Sequence, residues 1–255
     1  MISDPADLPG LAFSFVMVLA RVGSAAMLLP GVGEAEVSPI IRAGFAMALA
    51  ALFLPVAGGG LVMPNDGPIA ALAALGCEAV TGLWMGWLVR VSMQVPAMAG
   101  QVMAAASGMS NVLQPDAEVG PQSAALGHAL ALAAPVVVFA SGLYAIPLRA
   151  LAGSYEVIPA GHLLPAIESS AHAIGVIGRG FAVALQLGGP FVLAGTLWQM
   201  GFGLLSRLVP QLQVYFAAMP GQIAGGLVLF SAISGSVLAV WQDSILGEFL
   251  NLPGH

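Results

Sequence analysis

About six stretches of this chain are apolar for roughly 20 residues or more, and that limits its fold more than any other feature. Lipid offers no partner to an exposed peptide group, so a segment crossing a hydrocarbon core of about 30 Å must form a helix of about 20 mainly apolar residues. Candidate spans run from Leu8 to Leu29, Ile41 to Val62, Ile69 to Val95, Ala124 to Leu148, Ala171 to Met200 and Val214 to Trp241. Turn signals separate several of them: Gly31 to Glu36, Gly58 to Gly60 with Pro64 to Pro68, and Gly153 to Glu156. The expected fold is all-α: a polytopic membrane protein whose 255 residues form a single integral membrane domain.

The charge content supports this. Charged residues make up 7% of the chain and the mean hydropathy is +0.96, whereas about a quarter of a soluble domain is charged. Lysine is absent, and the six arginines, at 21, 42, 90, 149, 179 and 207, are scattered. No basic surface for nucleic acid or polybasic lipid recognition can form from them, so membrane lipid is the expected non-protein partner. Cys77 lies in an apolar stretch and reads as a small buried hydrophobe. The N-terminal residues lack the basic region of a cleavable signal, so the first apolar segment is expected to stay as an anchor. Arg42, Arg90 and Arg207 lie beside odd-numbered connections, which places those connections in the cytoplasm by the positive-inside rule.

Two connections, Pro96 to Pro121 and Leu151 to Ser170, are long and too apolar for solvated linkers. Met93, Met98, Met103 and Met109 recur through the first, where flexible apolar side chains suit either a deformable seal or ordinary helix packing. Pro135, Pro190 and Pro220 inside apolar spans predict kinks or breaks. Gly82 with Gly86, and Gly221 with Gly225, have the small-x-x-x-small spacing that lets helices approach closely.

Arg21 lies near the middle of the first span, where a charge costs roughly 2.5 to 3.5 kcal/mol on insertion scales. It calls for a contact with another subunit or a pore, or else it snorkels to an interface. Glu78 and Arg90 stand about 18 Å apart along one helix and cannot pair with each other, so each needs another partner. His128, His162, His172 and Glu168 lack metal-ligand spacing. Ser107-Gly108 is the nearest approach to a serine nucleophile, but Ala105 stands where such elbows carry glycine. No Gly-x-x-x-x-Gly-Lys run exists for nucleotide binding, and neither an enzyme nor a cofactor is expected.

The segment Gly201 to Pro220 places Arg207, Pro210 and Gln211 between two apolar runs. Such a set is tolerated only at an interface or a protein-lined site. The run Gly203-Leu-Leu-Ser-Arg207-Leu-Val-Pro210-Gln211-Leu, followed by Met219-Pro220, resembles the FliR family, the export-gate subunits of flagellar type III secretion. Further matches spread almost end to end: Leu19-Ala-Arg21 with Pro30, Ser38-Pro39 with Arg42, Gly100-Gln with Gly108-Met-Ser110 and Pro115, Ser154-Tyr155 with Ile158-Pro159 and Gly161, and Gly189-Pro190. Departures from the family pattern are Gln199, Ala218, Gln222 and Gln114, with Asp116 after the loop proline.

The resemblance implies kinked helical hairpins packed into a multisubunit gate with FliP-like, FliQ-like and FlhB-like subunits, in the bacterial inner membrane at the flagellar basal body. The gate would pass unfolded flagellar substrates. Its central loop, about Gln101 to Gly120, would be a plug, with Met103 and Met109 sealing and Gly108 and Ser110 letting the chain fold back. Subunit packing would fall to Arg21, Glu78, Arg207, Pro210, Gln211 and Pro220, the first two satisfied by neighbouring subunits or channel water. Two other readings stay open: an injectisome export-apparatus subunit, and a secondary transporter or channel with its site near Pro190 and Pro220.

Overall fold

The computed structural model describes residues 8–34, 37–57, 67–108, 125–208 and 214–254. Eight helices account for most of them: α1 (Leu8–Ala26), α2 (Pro39–Ala57), α3 (Pro68–Met93), α4 (Val95–Ala106), α5 (Ala125–Ser141), α6 (Ala145–Val157), α7 (Ala166–Leu208) and α8 (Val214–Leu250). No strand occurs among the described residues. Proline opens α2 and α3, where its missing N–H loses nothing because the first helical donors have no partner inside the helix.

The all-α membrane expectation holds. Among the described residues, five segments are long and apolar enough to cross a bilayer, and a sixth forms if α5 and α6, bent by 74°, count as one broken span. The break falls at Gly142, whose φ of +75° suits glycine. Pro135, Pro190 and Pro220 instead lie within the continuous helices α5, α7 and α8, so of the expected kinks or breaks no break occurs there. Neighbouring helical bonds carry the chain past each missing donor.

The two long connections shrink. Residues 95–106 form α4, with Pro96 in its first turn, so the proline that reads as a stop acts as a start. In the second connection, α6 extends to Val157 and α7 begins at Ala166, leaving only 158–165 as loop.

The chain read as one domain contains two compact units. Unit 1 comprises 1–92, 142–176 and 246–255; unit 2 comprises 93–141 and 177–245. In unit 1, α1 packs along α2, burying Met17, Val18, Val22 and Ala25 with Ala46, Ala50 and Phe53. In unit 2, α4 packs along α5, burying Ala99, Met103 and Ala104 with Leu130, Ala134 and Val138. Leu185, Val192, Leu193, Leu197, Leu227, Val228 and Val240 stay exposed on α7 and α8, leaving apolar surface for lipid or protein to cover.

Candidate functional site

In unit 1 the polar focus follows from two glycines. A Cβ on Gly82 would collide with the Arg21 carbonyl oxygen and Ser24 Oγ, and one on Gly86 would stand 2.7 Å from the Ala25 carbonyl. The absence of both lets α3 lie against α1, which gives the Gly82/Gly86 spacing a defined partner. Glu78 sits one turn before Gly82 on the same face, so it arrives at Arg21.

Arg21 Nε donates to Glu78 Oε2 at 2.8 Å and Nη2 donates to Oε1 at 3.0 Å, a bidentate pair with both side chains fully buried. The remaining capacity is used as well. Nη1 donates to Ser154 Oγ at 3.1 Å, Nη2 also donates to the Ile158 carbonyl at 3.0 Å, and the Gly161 N–H donates to Glu78 Oε1 at 2.8 Å. Gly161 reaches that position with φ +77°. The guanidinium carbon stands 4.0 Å from the centre of the Tyr155 ring, a cation–π contact. Two charges can remain in so dry a place only when paired and hydrogen-bonded like this.

The network corrects the reading of Arg21 and Glu78 as groups satisfied by neighbouring subunits or channel water. They satisfy each other within one chain and tie α1, α3, α6 and the 158–165 loop together. Arg90 likewise pairs with Glu34 at 2.9 Å, half-exposed. The Tyr155 hydroxyl and His172 Nε2 are buried polar atoms with no hydrogen-bond partner among the described residues.

In unit 2 the focus is the C-terminal end of α4. A Cβ on Gly100 would approach Gly127 Cα of α5 to 2.6 Å. On α7, Gly180, Gly188 and Gly195 face Val95, Val102 and the Ala106 carbonyl, and a Cβ on Gly195 would collide with that carbonyl. Glycines seven and eight residues apart thus form a track in which α4 sits.

The helix ends where Ser107 N donates to the Met103 carbonyl at 3.0 Å and Gly108 turns to φ +73°. A side chain at Gly108 would meet the Gln222 amide at 3.1 to 3.5 Å. Beside this end lies a cavity of about 240 Å³, lined by Ser107, Phe191, Gly195, Trp198, Gln222 and Gly226 among others. Ser107 Oγ donates to its own helix, at 2.7 Å to the Met103 carbonyl, which occupies its proton.

Among the residues proposed for the plug, Gly108 has a φ of +73°, in the left-handed region that glycine accepts. Met103 is fully buried in the α4–α5 core, so it has no surface to offer a passing chain and its sealing role is corrected to packing. Met109 and Ser110 lie outside the described residues, as do Pro210 and Gln211. Arg207 and Pro220 are exposed on α7 and α8. Sequence reasoning did not find the Gly108–Gln222 contact or the α7 glycine track, although the spacing of Gly180, Gly188 and Gly195 carried a signal for the latter.

Comparison with known proteins adds kinship to this geometry. Residues 12–247 match the family described as bacterial export proteins, family 1. The chain is 27% identical over 232 residues to the flagellar biosynthetic protein FliR of Caulobacter vibrioides, covering 89% of this chain and 90% of that protein. The Bacillus subtilis protein of the same name is 23% identical over 235 residues, covering 90% and 89%. The Yop proteins translocation protein T of Yersinia pestis is 24% identical over 248 residues, covering 94% and 89%.

Proposed function

We infer the role from kinship: this chain belongs to the bacterial export proteins, family 1. It is a membrane-embedded subunit of a type III protein export apparatus, and the observation carrying this is the family match along almost the whole chain. The flagellar reading is favoured over the injectisome one because the relative of higher identity is a flagellar biosynthetic protein.

Within that apparatus the subunit helps form and close the conduit for unfolded substrates and performs no covalent chemistry. Its partners are FliP-like, FliQ-like and FlhB-like subunits in the inner membrane. A partner ATPase and the proton-motive force supply the energy. The segment that follows Gly108 acts as the plug, with Met109 as its sealing side chain and Gly108 and Ser110 letting the chain fold back. The left-handed Gly108 and the seating of α4 in the α7 track support this, because a plug needs a fixed base. Arg207, Pro210, Gln211 and Pro220 serve contacts with neighbouring gate subunits.

Mild detergent extraction of the tagged chain tests the assignment. The expected outcome is co-purification with small heterologous membrane proteins at substoichiometric copy number. A purified monomer or homo-oligomer that binds a small solute would instead establish the transporter reading.

A further inference from the structure

We propose that the cavity beside the C-terminal end of α4 is a binding site for a phenol ring, supplied either as a small free phenol or as a tyrosine side chain of a neighbouring polypeptide. Every residue lining it belongs to unit 2, so the site goes beyond the export reading and does not depend on it.

The walls set the body of the ligand. Phe191 and Trp198 lie seven residues apart on α7, two turns or about 10.5 Å, and share one side of the helix. Leu229 of α8 adds an aliphatic wall, while Gly225 and Gly226 bring only backbone. Phe191 is buried, and the Phe202 ring holds Trp198 by standing edge-on to it at 5.2 Å. On its other side Trp198 lies over Gly221, where an added Cβ would touch the indole at 3.4 Å. A flat ring entering between such walls gains aromatic contacts that an aliphatic chain does not. The size agrees: an apolar cavity of about 150 Å³ takes up benzene, and about 240 Å³ leaves room for a ring and its substituent.

The polar groups set its head. The Gln222 amide lies across Gly108, 3.1 to 3.5 Å from where a Cβ would stand there, and has no hydrogen-bond partner among the described residues. Ser107 Oγ gives its proton to the Met103 carbonyl at 2.7 Å and keeps lone pairs for accepting. A phenol hydroxyl can accept from the amide and donate to Ser107 Oγ, so a single substituent satisfies both and bridges α4 to α8. An aliphatic side chain or a lipid tail would fill the space and leave the amide desolvated without a partner. Water would need about eight molecules, at about 30 Å³ each, against mostly apolar walls.

Binding of para-fluorophenol to the full chain purified in detergent tests the site, read by fluorine NMR line broadening, with fluorobenzene as the probe that lacks the hydroxyl. Gly225→Leu puts a side chain into the cavity, and nothing within 4 Å blocks its Cβ. Gly235→Leu, equally open and farther along α8, is the control. The expected result is saturable broadening of the phenol in wild type and Gly235→Leu and none in Gly225→Leu. Fluorobenzene should bind wild type about two- to tenfold more weakly, the worth of a net hydrogen bond, and Gln222→Leu should remove that preference. Equal broadening in wild type and Gly225→Leu, which is partition into the micelle, would overturn the proposal. So would equal affinity for the two probes in wild type, or a preference unchanged in Gln222→Leu.

The same titration on the co-purified assembly separates the two sources. Binding that persists there identifies a free phenol. Binding that is lost, with a photo-crosslinking residue at position 225 giving an adduct to a tyrosine-bearing segment of a neighbouring subunit, identifies a protein tyrosine. Binding lost with no such adduct overturns the proposal. If no assembly co-purifies, the export-gate reading fails while the detergent titration still decides the site.

Discussion

Replacing Glu78 with Gln changes one atom in size and shape but strands a buried guanidinium. In the native chain Arg21 makes two bonds to that carboxylate, at 2.8 and 3.0 Å, and both side chains are fully buried. The amide oxygen can take the place of Oε1 and accept from both Nη2 and the Gly161 N–H, but the amide supplies no negative charge and turns its NH2 donor toward Arg21 Nε. Breaking a buried pair by removing one partner costs about 3 to 5 kcal/mol, which lowers the folded-to-unfolded ratio more than about a hundredfold. Glu78→Gln should therefore lower the denaturant midpoint of the detergent-solubilised protein and its steady-state level in the membrane. Arg21→Met combined with Glu78→Gln should recover most of the loss, because no charge is then left unpaired. A double variant as unstable as the sum of the two single variants, or a Glu78→Gln midpoint equal to wild type, would refute the reasoning.

Gly195→Val should prevent α4 from seating, since even a Cβ there meets the Ala106 carbonyl; limited proteolysis near residue 108 would report it as faster cleavage. Gly108→Val must hold φ +73° and displace the Gln222 amide, so ion leakage through the assembled gate should rise relative to wild type. Met103→Ala should destabilise by about 2 to 5 kcal/mol as a core cavity, whereas Met109→Ala should raise leakage with little change in stability. Arg90→Ala should shift stability by no more than about 1 kcal/mol, because its pair with Glu34 is half-exposed.

The apolar segments were legible because lipid imposes one solution on them. Helix limits were less so. Pro96 and the alanine-rich run after it read as part of a long connection, yet proline in a first turn starts α4, and the packing of Gly100 on Gly127 and of Val102 and Ala106 on the α7 glycines holds the helix in place. Arg21 and Glu78 were each recognisable as groups in need of a partner. Their pairing was not, because the two residues are 57 apart and nothing local specifies how α1 meets α3. Gly82 held the missing information, since only a glycine there brings the two helices close enough. The sealing role of Met103 failed for a similar reason: periodicity cannot tell a methionine in a core from one facing a channel, and burial can.

The central claim, that this chain is a subunit through which proteins leave the cell by the flagellar route, is tested most directly by in-frame deletion in a strain known to be flagellated. Secreted hook protein and flagellin should be measured in the medium together with swimming. Loss of both secreted proteins and of motility, restored by the wild-type gene in trans, is the expected result. Normal secretion and normal swimming in the deletion strain would contradict the account.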